Sequence, residues 1–439
     1  MSPYRHAYQI YEIHVALLIS RRFIMEPVLE SCAGMDVHEK KVDVCIAHGS
    51  LDKSPKFEIR TFSTMTSDLE ELTIWLKKYN VKTVGMESTG VYWKPIFNVM
   101  EGEFTIVLAN AQRLKAIPRK KTDIMDCKRI AKLLRYGLLP NSFIPPREIR
   151  ELRDLNRTRR KLVGMMTSEK NRLTKVLESS NIKLSSVVSK ISGVSSMAMI
   201  RSLLEKDRLS KEEISQLAKG SLKKKVALLE KALNGKVTDH HRFLLKMHLE
   251  NLDHLARQIE KIDEEIERKM IPFQKETKLI QTIPGISKVS ASAILAEIGT
   301  DMSQFPDEAH LSSWAGVCPG NNESAGKKKS GKTQKGNSFL KGTLAEAAWA
   351  ASKTKGSSYS AFYHNIVRRR GKKRALVALA HRMLIDIYHV LKTGEPYQDT
   401  SAEAANERAT KRREQSMIRS LEKAGYSVVK TSVAEIAVA

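Results

Sequence analysis

The sequence predicts an α/β domain on a mixed sheet, followed by a long helical region and a mainly helical C-terminal domain. Three observations carry this. Short β-like runs alternate with helical stretches between residues 31 and 147. From 148 to 275 turn-forming residues become scarce, and apolar residues recur at three-to-four spacing. From 276 a Pro-Gly turn leads into a small-residue helix. The expected division is a patternless extension at 1–30, a sheet domain at 31–147, a helical region with an insertion at 148–275, a C-terminal domain at 276–398 and a tail at 399–439.

Two β-like runs open the sheet domain, CAGMDV (32–37) and KVDVCIA (41–47), joined by the polar link His38-Glu39-Lys40. A third, KFEIRTF (56–62), follows a turn containing Pro55. SDLEELTIWLKKYN (67–80) is helical, with apolar residues at Leu69, Leu72, Ile74 and Leu76. VKTVGME (81–87) reads as a strand, YWKPIFNVME as a short helix, FTIVLAN (104–110) as a strand, and about 123–137 as a closing basic helix. The order β-β-β-α-β-α-β-α mixes a hairpin meander with parallel crossovers, a ribonuclease-H-like pattern whose sheet faces helices must cover.

Four acids fall at informative places in that order. Asp36 is central in the first strand, where a carboxylate is out of character for a buried run. Glu87 closes the fourth strand, and Asp123 and Asp126 share one face of the last helix. Carboxylates gathered at one sheet edge repel unless a hard cation holds them, and magnesium takes oxygen ligands. Two such ions activate a nucleophile and stabilise a leaving oxygen on phosphorus. The plainer alternative gives Asp36 a turn-capping role and lets Asp123 and Asp126 complement a helix dipole. Nine basic residues against two acids between Ala111 and Arg135 favour a phosphate-seeking surface around these ligands.

In the helical middle, Leu152, Leu155, Arg159, Leu162, Met166, Glu169, Leu173 and Val176 follow a three-to-four spacing. Leu252, Leu255, Ile259, Ile262 and Ile266 repeat it, which predicts an antiparallel coiled coil or a dimerisation arm. Residues 179–234 between the two seams read as a small helical insertion.

The chain has 439 residues and a formal charge of +26, which points to a polyanionic partner. Cys32, Cys45, Cys127 and Cys318 are scattered without a C-x-x-C pair, which disfavours a zinc ribbon or a disulfide framework and fits a reducing cytoplasm. No apolar run approaches the roughly 20 residues of a membrane span. Met25 is an alternative start to Met1.

GKKKSGKT (326–333) satisfies a phosphate-loop pattern letter for letter. A phosphate loop needs a buried strand before it and a continuous helix from its lysine onward. The approach AGVCPGNNESA contains Pro319 and Gly320, and the sequel QKGNS contains Gly336 and Asn337, so neither is present. What remains is a loop with Ser324 before three lysines. From Ser324 to Ala375 there are 14 basic residues and one acid. A hydroxyl there could attack a phosphodiester and conserve the bond as a phosphoserine ester, with lysines stabilising the transition state. Turn capping by Ser324 and passive backbone binding by the lysines remain the alternative. IPGIS (283–287) opens half a helix-hairpin-helix element or a plain helix–turn–helix connection.

GMDVHEKKVDV with Asp36, GMESTGVYW with Glu87, and RKKTDIMDCKRIAKLL with Asp123 and Asp126 resemble the DEDD motif of insertion-sequence 110 family transposases. IPGIS, Ser324-Ala325-Gly326, the basic stretch and KGNSFLKGTLAEAAW are similar, in the same order, to that family's C-terminal domain. The resemblance spans residues 32 to 395. It implies a RuvC-like first domain, a coiled coil and a C-terminal transposase domain that supplies a catalytic serine. It also implies recombination of donor and target DNA under a structured guide RNA from the element's own end. Carried over, Asp36, Glu87, Asp123 and Asp126 bind magnesium, as two ions, and Ser324 is the nucleophile. Ala325 departs from the family's usual Ser-Gly turn and leaves Ser330 as the rival. Lys327, Lys328, Lys329 and Lys332, Arg119, Lys120 and Lys121, and Arg368, Arg369 and Arg370 are the expected nucleic-acid contacts. A dimer or tetramer through the coiled coil is the expected assembly. A carboxylate-and-water nuclease of the Holliday-junction resolvase type is the main alternative. A phosphotransferase of the sugar- or acetate-kinase fold and a non-catalytic scaffold stand behind it.

Overall fold

The computed structural model describes residues 27–88, 90–109, 123–139, 141–319, 322–324, 327–330, 332–333, 335–399 and 402–428. The chain divides into two compact units, 1–144 and 145–439.

The first unit is built on five strands: β1 (Ser31–Val37), β2 (Lys41–His48), β3 (Lys56–Ser63), β4 (Thr83–Glu87) and β5 (Thr105–Ala109). Helices α1 (Thr66–Lys78) and α2 (Trp93–Met100) fall between them, and α3 (Asp123–Arg135) follows. The order across the sheet is β3-β2-β1-β4-β5. Antiparallel pairing joins β1, β2 and β3, and parallel pairing joins β1, β4 and β5. This is the ribonuclease-H-like arrangement that the element order predicts.

Strand alternation decides which residues meet which layer. Ala33, Met35 and Val37 of β1, Val42, Val44 and Ile46 of β2, and Val84 and Met86 of β4 pack with Leu69, Leu72 and Leu76 of α1 and Ile96 and Met100 of α2. On the other face Cys32, Cys45 and Ala47 pack with Cys127, Ile130, Ala131 and Leu134 of α3. The cysteines there serve as small apolar residues, and burial pushes the Cys32 thiol up to about 11.

Arg135 corrects the reading of α3 as uniformly phosphate-seeking. It is fully buried and donates to the carbonyls of Glu30, Gly49 and Ser50 at 2.8, 3.2 and 2.8 Å. Its own carbonyl accepts from Val28 N–H at 2.8 Å, so the chain is fixed to the domain by residue 28. Residues 1–26 of the expected extension lie outside the described residues. Lys128 and Lys132 lie over the Phe57 ring, 4.3 and 5.5 Å from its centroid.

The second unit starts with two long helices, α4 (Arg147–Ser179) and α9 (Asp239–Lys269), which pack along each other. Between them lie α5 (Leu184–Val187), α6 (Val194–Ser202), α7 (Lys211–Leu217) and α8 (Val226–Leu233), the helical insertion. Its core joins Leu173, Val176 and Leu177 of α4 to Leu245, Leu249 and Leu252 of α9. The two polar positions of the first seam are paired within the chain. Arg159 forms a two-bonded ion pair with Asp263. Glu169, 3% exposed, accepts from His248 at 2.6 Å and from Arg172 at 2.7 Å.

Next come α10 (Gln274–Gln281), α11 (Lys288–Ile298) and α12 (Glu308–Ala315), then a hairpin of β6 (Asn322–Ser324) and β7 (Lys327–Ser330). Helices α13 (Ser338–Ala351), α14 (Ser358–Arg370) and α15 (Lys372–Thr393) complete the layer, and α16 (Ala402–Lys423) in the tail packs along α14. The IPGIS turn packs closely against α13. Gly285 has φ +91°, and a side chain there would meet the Ala347 carbonyl at 2.4 Å. No described helix is long and apolar enough to cross a membrane.

Candidate active site

Asp36 and Glu87 sit at the carboxyl ends of the parallel strands β1 and β4. The register pairs Met35 with Met86, so Asp36 and Glu87 are the next residues on neighbouring strands. Both belong to the α3 face, because Met35 and Met86 belong to the opposite one. Carboxyl ends of parallel strands are where open α/β sheets place their ligands.

Helix α3 reaches this edge because of two glycines. A side chain on Gly34 would lie 2.2 Å from Ala131 N and 2.3 Å from the Cys127 carbonyl, and one on Gly85 would lie 3.1 Å from Ile130 and 3.3 Å from Leu134. The thiol of Cys32 meets the Ala131 carbonyl at 3.5 Å, while Gly34 lies against Cys127, so α3 runs antiparallel to β1. Its first turn therefore lies toward Asp36. That turn holds Asp123 and Asp126. Asp126 is half-buried, and the Asp123 side chain lies outside the described residues.

Asp36 is 8% exposed, and its Oδ2 stands 3.3 Å from His38 Nε2. A fifth acid, unforeseen in the sequence, shares its face. Asp43 on β2 pairs in register with Asp36 and is 3% exposed. It accepts from Lys41 Nζ at 2.8 Å and from Thr61 Oγ1 at 2.5 Å. Burial pushes the Asp43 carboxyl up, but Lys41, Thr61 and the nearby His38 outweigh it and hold it below the usual carboxylate range.

The donor set is hard oxygen throughout, which suits magnesium-like cations. Among the described residues no three such side chains are gathered closely enough to hold an ion. The structure thus brings Asp36 and Glu87 to one edge, with the start of α3 directed at it. The side chain of Asp123, the fourth acid expected there, lies outside the described residues.

In the second unit, Ser324 ends β6 and pairs with Lys327 of β7. Within GKKKSGKT, Lys327–Ser330 is strand, paired with β6, and Thr333 bridges back to Pro319. The next described helix starts at Ser338, so the described residues of this stretch do not have the strand-to-helix form of a phosphate loop. Lys332 is exposed, as are Arg368, Arg369 and Arg370 in the last turn of α14. The side chains of Ser324, Lys327, Lys328, Lys329 and Ser330 lie outside the described residues, as do Arg119, Lys120 and Lys121 altogether.

Comparison with known proteins matches both halves of this picture. Residues 33–182 match the profile of the IS110-type DEDD transposases, and residues 277–364 match that of the transposase IS116/IS110/IS902 family. The chain is 23% identical over 379 residues to the pilin gene-inverting protein of Moraxella bovis, covering 83% of this chain and 96% of that protein. It is 30% identical over 128 residues to the transposase for insertion sequence element IS1111A of Coxiella burnetii, covering 28% and 35% of the two chains.

Proposed function

The chain belongs to the IS110 family of DEDD transposases, enzymes that cut and rejoin DNA, and from that premise we propose that it recombines an insertion sequence through a carboxylate site and a serine ester. The observation that carries the reading is the placement of Asp36 and Glu87 on adjacent strand ends facing the first turn of α3. Asp36, Glu87, Asp123 and Asp126 would hold two magnesium ions. When bound, the ions neutralise the carboxylates and polarise a phosphodiester oxygen.

Ser324 is the nucleophile of this scheme. Its Oγ bonds to phosphorus as one strand P–O bond breaks, and the departing strand end takes up the proton that the serine gives up. The hydroxyl of a second strand end then attacks the phosphoserine, restoring a phosphodiester and returning the serine. One P–O bond is exchanged for another at each step, so no outside energy source is required. Lys327, Lys328, Lys329 and Lys332 stabilise the charge on phosphorus, while Arg119, Lys120, Lys121 and Arg368–Arg370 hold strand backbones.

The reading includes guidance by a structured RNA from the element's own end. Base pairing would choose the DNA, and a surface carrying +26 would hold both polyanions. It also includes a sheet domain at 31–147, a helical arm at 148–275 that joins copies of the chain, and a serine domain at 276–398. The likeness to the pilin gene-inverting protein of Moraxella bovis supports rejoining over simple cutting.

The test is Ser324→Ala in cells carrying the reading frame with its flanking genomic DNA. Protein-linked DNA and recombined junctions vanish while DNA retention on the protein survives. Hydrolytic nicks indifferent to Ser324 would support the carboxylate-and-water nuclease instead.

A further inference from the structure

Resting on the reading of Ser324 as nucleophile, we propose that Glu297 is a positioning residue for strand joining, acting through Asn337 on the base of the serine hairpin. Neither residue carries a role in the scheme above.

The hairpin has two feet. Its incoming foot leaves α12 through Gly316, and Pro319 bridges Thr333 on the outgoing side. Gly336 packs so tightly on the incoming foot that a side chain there would lie 2.4 Å from Gly316 N. Asn337 N–H donates to the Trp314 carbonyl at 3.3 Å, and Lys341 donates to the Thr333 hydroxyl.

Asn337 then divides its amide between two tasks. Oδ1 accepts from Phe339 and Leu340 N–H, both at 3.1 Å, and so caps α13. Nδ2 donates to Glu297 Oε2 at 2.5 Å. Glu297 is 3% exposed and is gripped from α4. Arg157 binds it with two parallel bonds of 2.8 Å, and Arg153 donates to its backbone carbonyl at 2.6 Å. Burial draws the Arg153 guanidinium down to about 10.

A cap alone does not require asparagine, since serine or aspartate serves equally. Charge balance alone does not require Asn337, since Arg157 already faces both carboxylate oxygens. The donor half of the amide is what links this buried carboxylate to the foot of the hairpin. The four residues of β7 span roughly 13 Å at the usual rise per residue. A rotation of about 4–5° of that strand about its near end moves its far end by about 1 Å, a displacement that can cost about 10²-fold in rate.

The experiment compares Asn337→Ser, Asn337→Asp and the double variant Asn337→Asp with Glu297→Gln, using the full chain and a plasmid carrying its own reading frame and flanking DNA. Serine and aspartate keep the cap. The double variant forms a bond of reversed polarity, Gln donating to Asp, while giving up the Arg157 Nη2 bond made to the same atom. The expected result is DNA half-saturation within about twofold of the parent throughout, with protein–DNA adduct formation at saturating DNA down about tenfold or more in both single variants. The double variant should recover part of that loss, since one Arg157 bond is given up. A merely structural role would lower melting temperature, DNA retention and adducts together, and the reversed pair would not restore the rate. Parent-like adduct formation by Asn337→Ser would overturn the proposal, as would a double variant no better than Asn337→Asp. If Asn337→Asp unfolds, the serine variant decides alone. Ser324→Ala in parallel separates the two ideas: adducts persisting there overturn the nucleophile itself, whereas their loss beside an unaffected Asn337→Ser overturns only the positioning role.

Discussion

Asp36 and Asp43 stand opposite each other in register across β1 and β2, both on the sheet face that α3 covers. Like charges directly opposite on a sheet destabilise it by up to about 1 kcal/mol. Asp43 is compensated by Lys41 and Thr61. Asp36→Asn should therefore leave the melting temperature equal or raised while cutting strand cleavage by about two to three orders of magnitude. Asp43→Asn should do the reverse, lowering stability by about 1 kcal/mol through its lost hydrogen bonds and sparing most cleavage. Thermal melts paired with cleavage assays check both. Equal activity in the two variants would contradict the assignment of Asp36 over Asp43.

Gly34→Ala tests whether the approach of α3 makes the site. The new Cβ would sit 2.2–2.3 Å from the α3 backbone, so the helix must lift. The expected cost is about 3 kcal/mol by denaturant titration, with magnesium-dependent cleavage lost well below the unfolding midpoint. Gly102→Ala is the control, because nothing lies within 4 Å of a side chain there, although its φ of +87° adds local strain.

The α4–α9 pair carries a pH dependence. Burial pushes the Glu169 carboxyl up, but hydrogen bonds from His248, Asn251 and Arg172 prevail and hold it below the usual range. A carboxyl depressed on folding contributes stability that is complete above its unfolded value of about 4.3 and lost as pH falls through the folded value. The melting temperature of the parent should thus exceed that of Glu169→Ala by a constant margin above about pH 5, and the margin should shrink below about pH 4. Melts at a series of pH values measure it.

Much of the first unit was legible because its signals are local. Apolar alternation and turn residues placed all five strands, and the acids at the ends of β1 and β4 stood out against apolar runs. Asp43 escaped because it stands within an apolar run with no motif around it, and only the pairing of Asp36 with Asp43 across β1 and β2 brings it to the same face. Arg135 was misread because charge implies exposure, and only the fold brings three carbonyls around it. Glu297 left one faint sign, an acid inside the apolar stretch SAILAEIG. Its partners come from α4 and from beyond the hairpin, and no periodicity encodes them.

The most direct measurement is the identity of the residue joined to DNA. Trypsin separates the two rivals, because Ser324 lies on the peptide 289–327 and Ser330 on 330–332. Denatured protein–DNA adducts, trimmed with nuclease and digested, should show a nucleotide mass on peptide 289–327, localised by fragmentation to Ser324. A nucleotide on Ser330 or any other side chain, or cleavage without any adduct, would contradict the account.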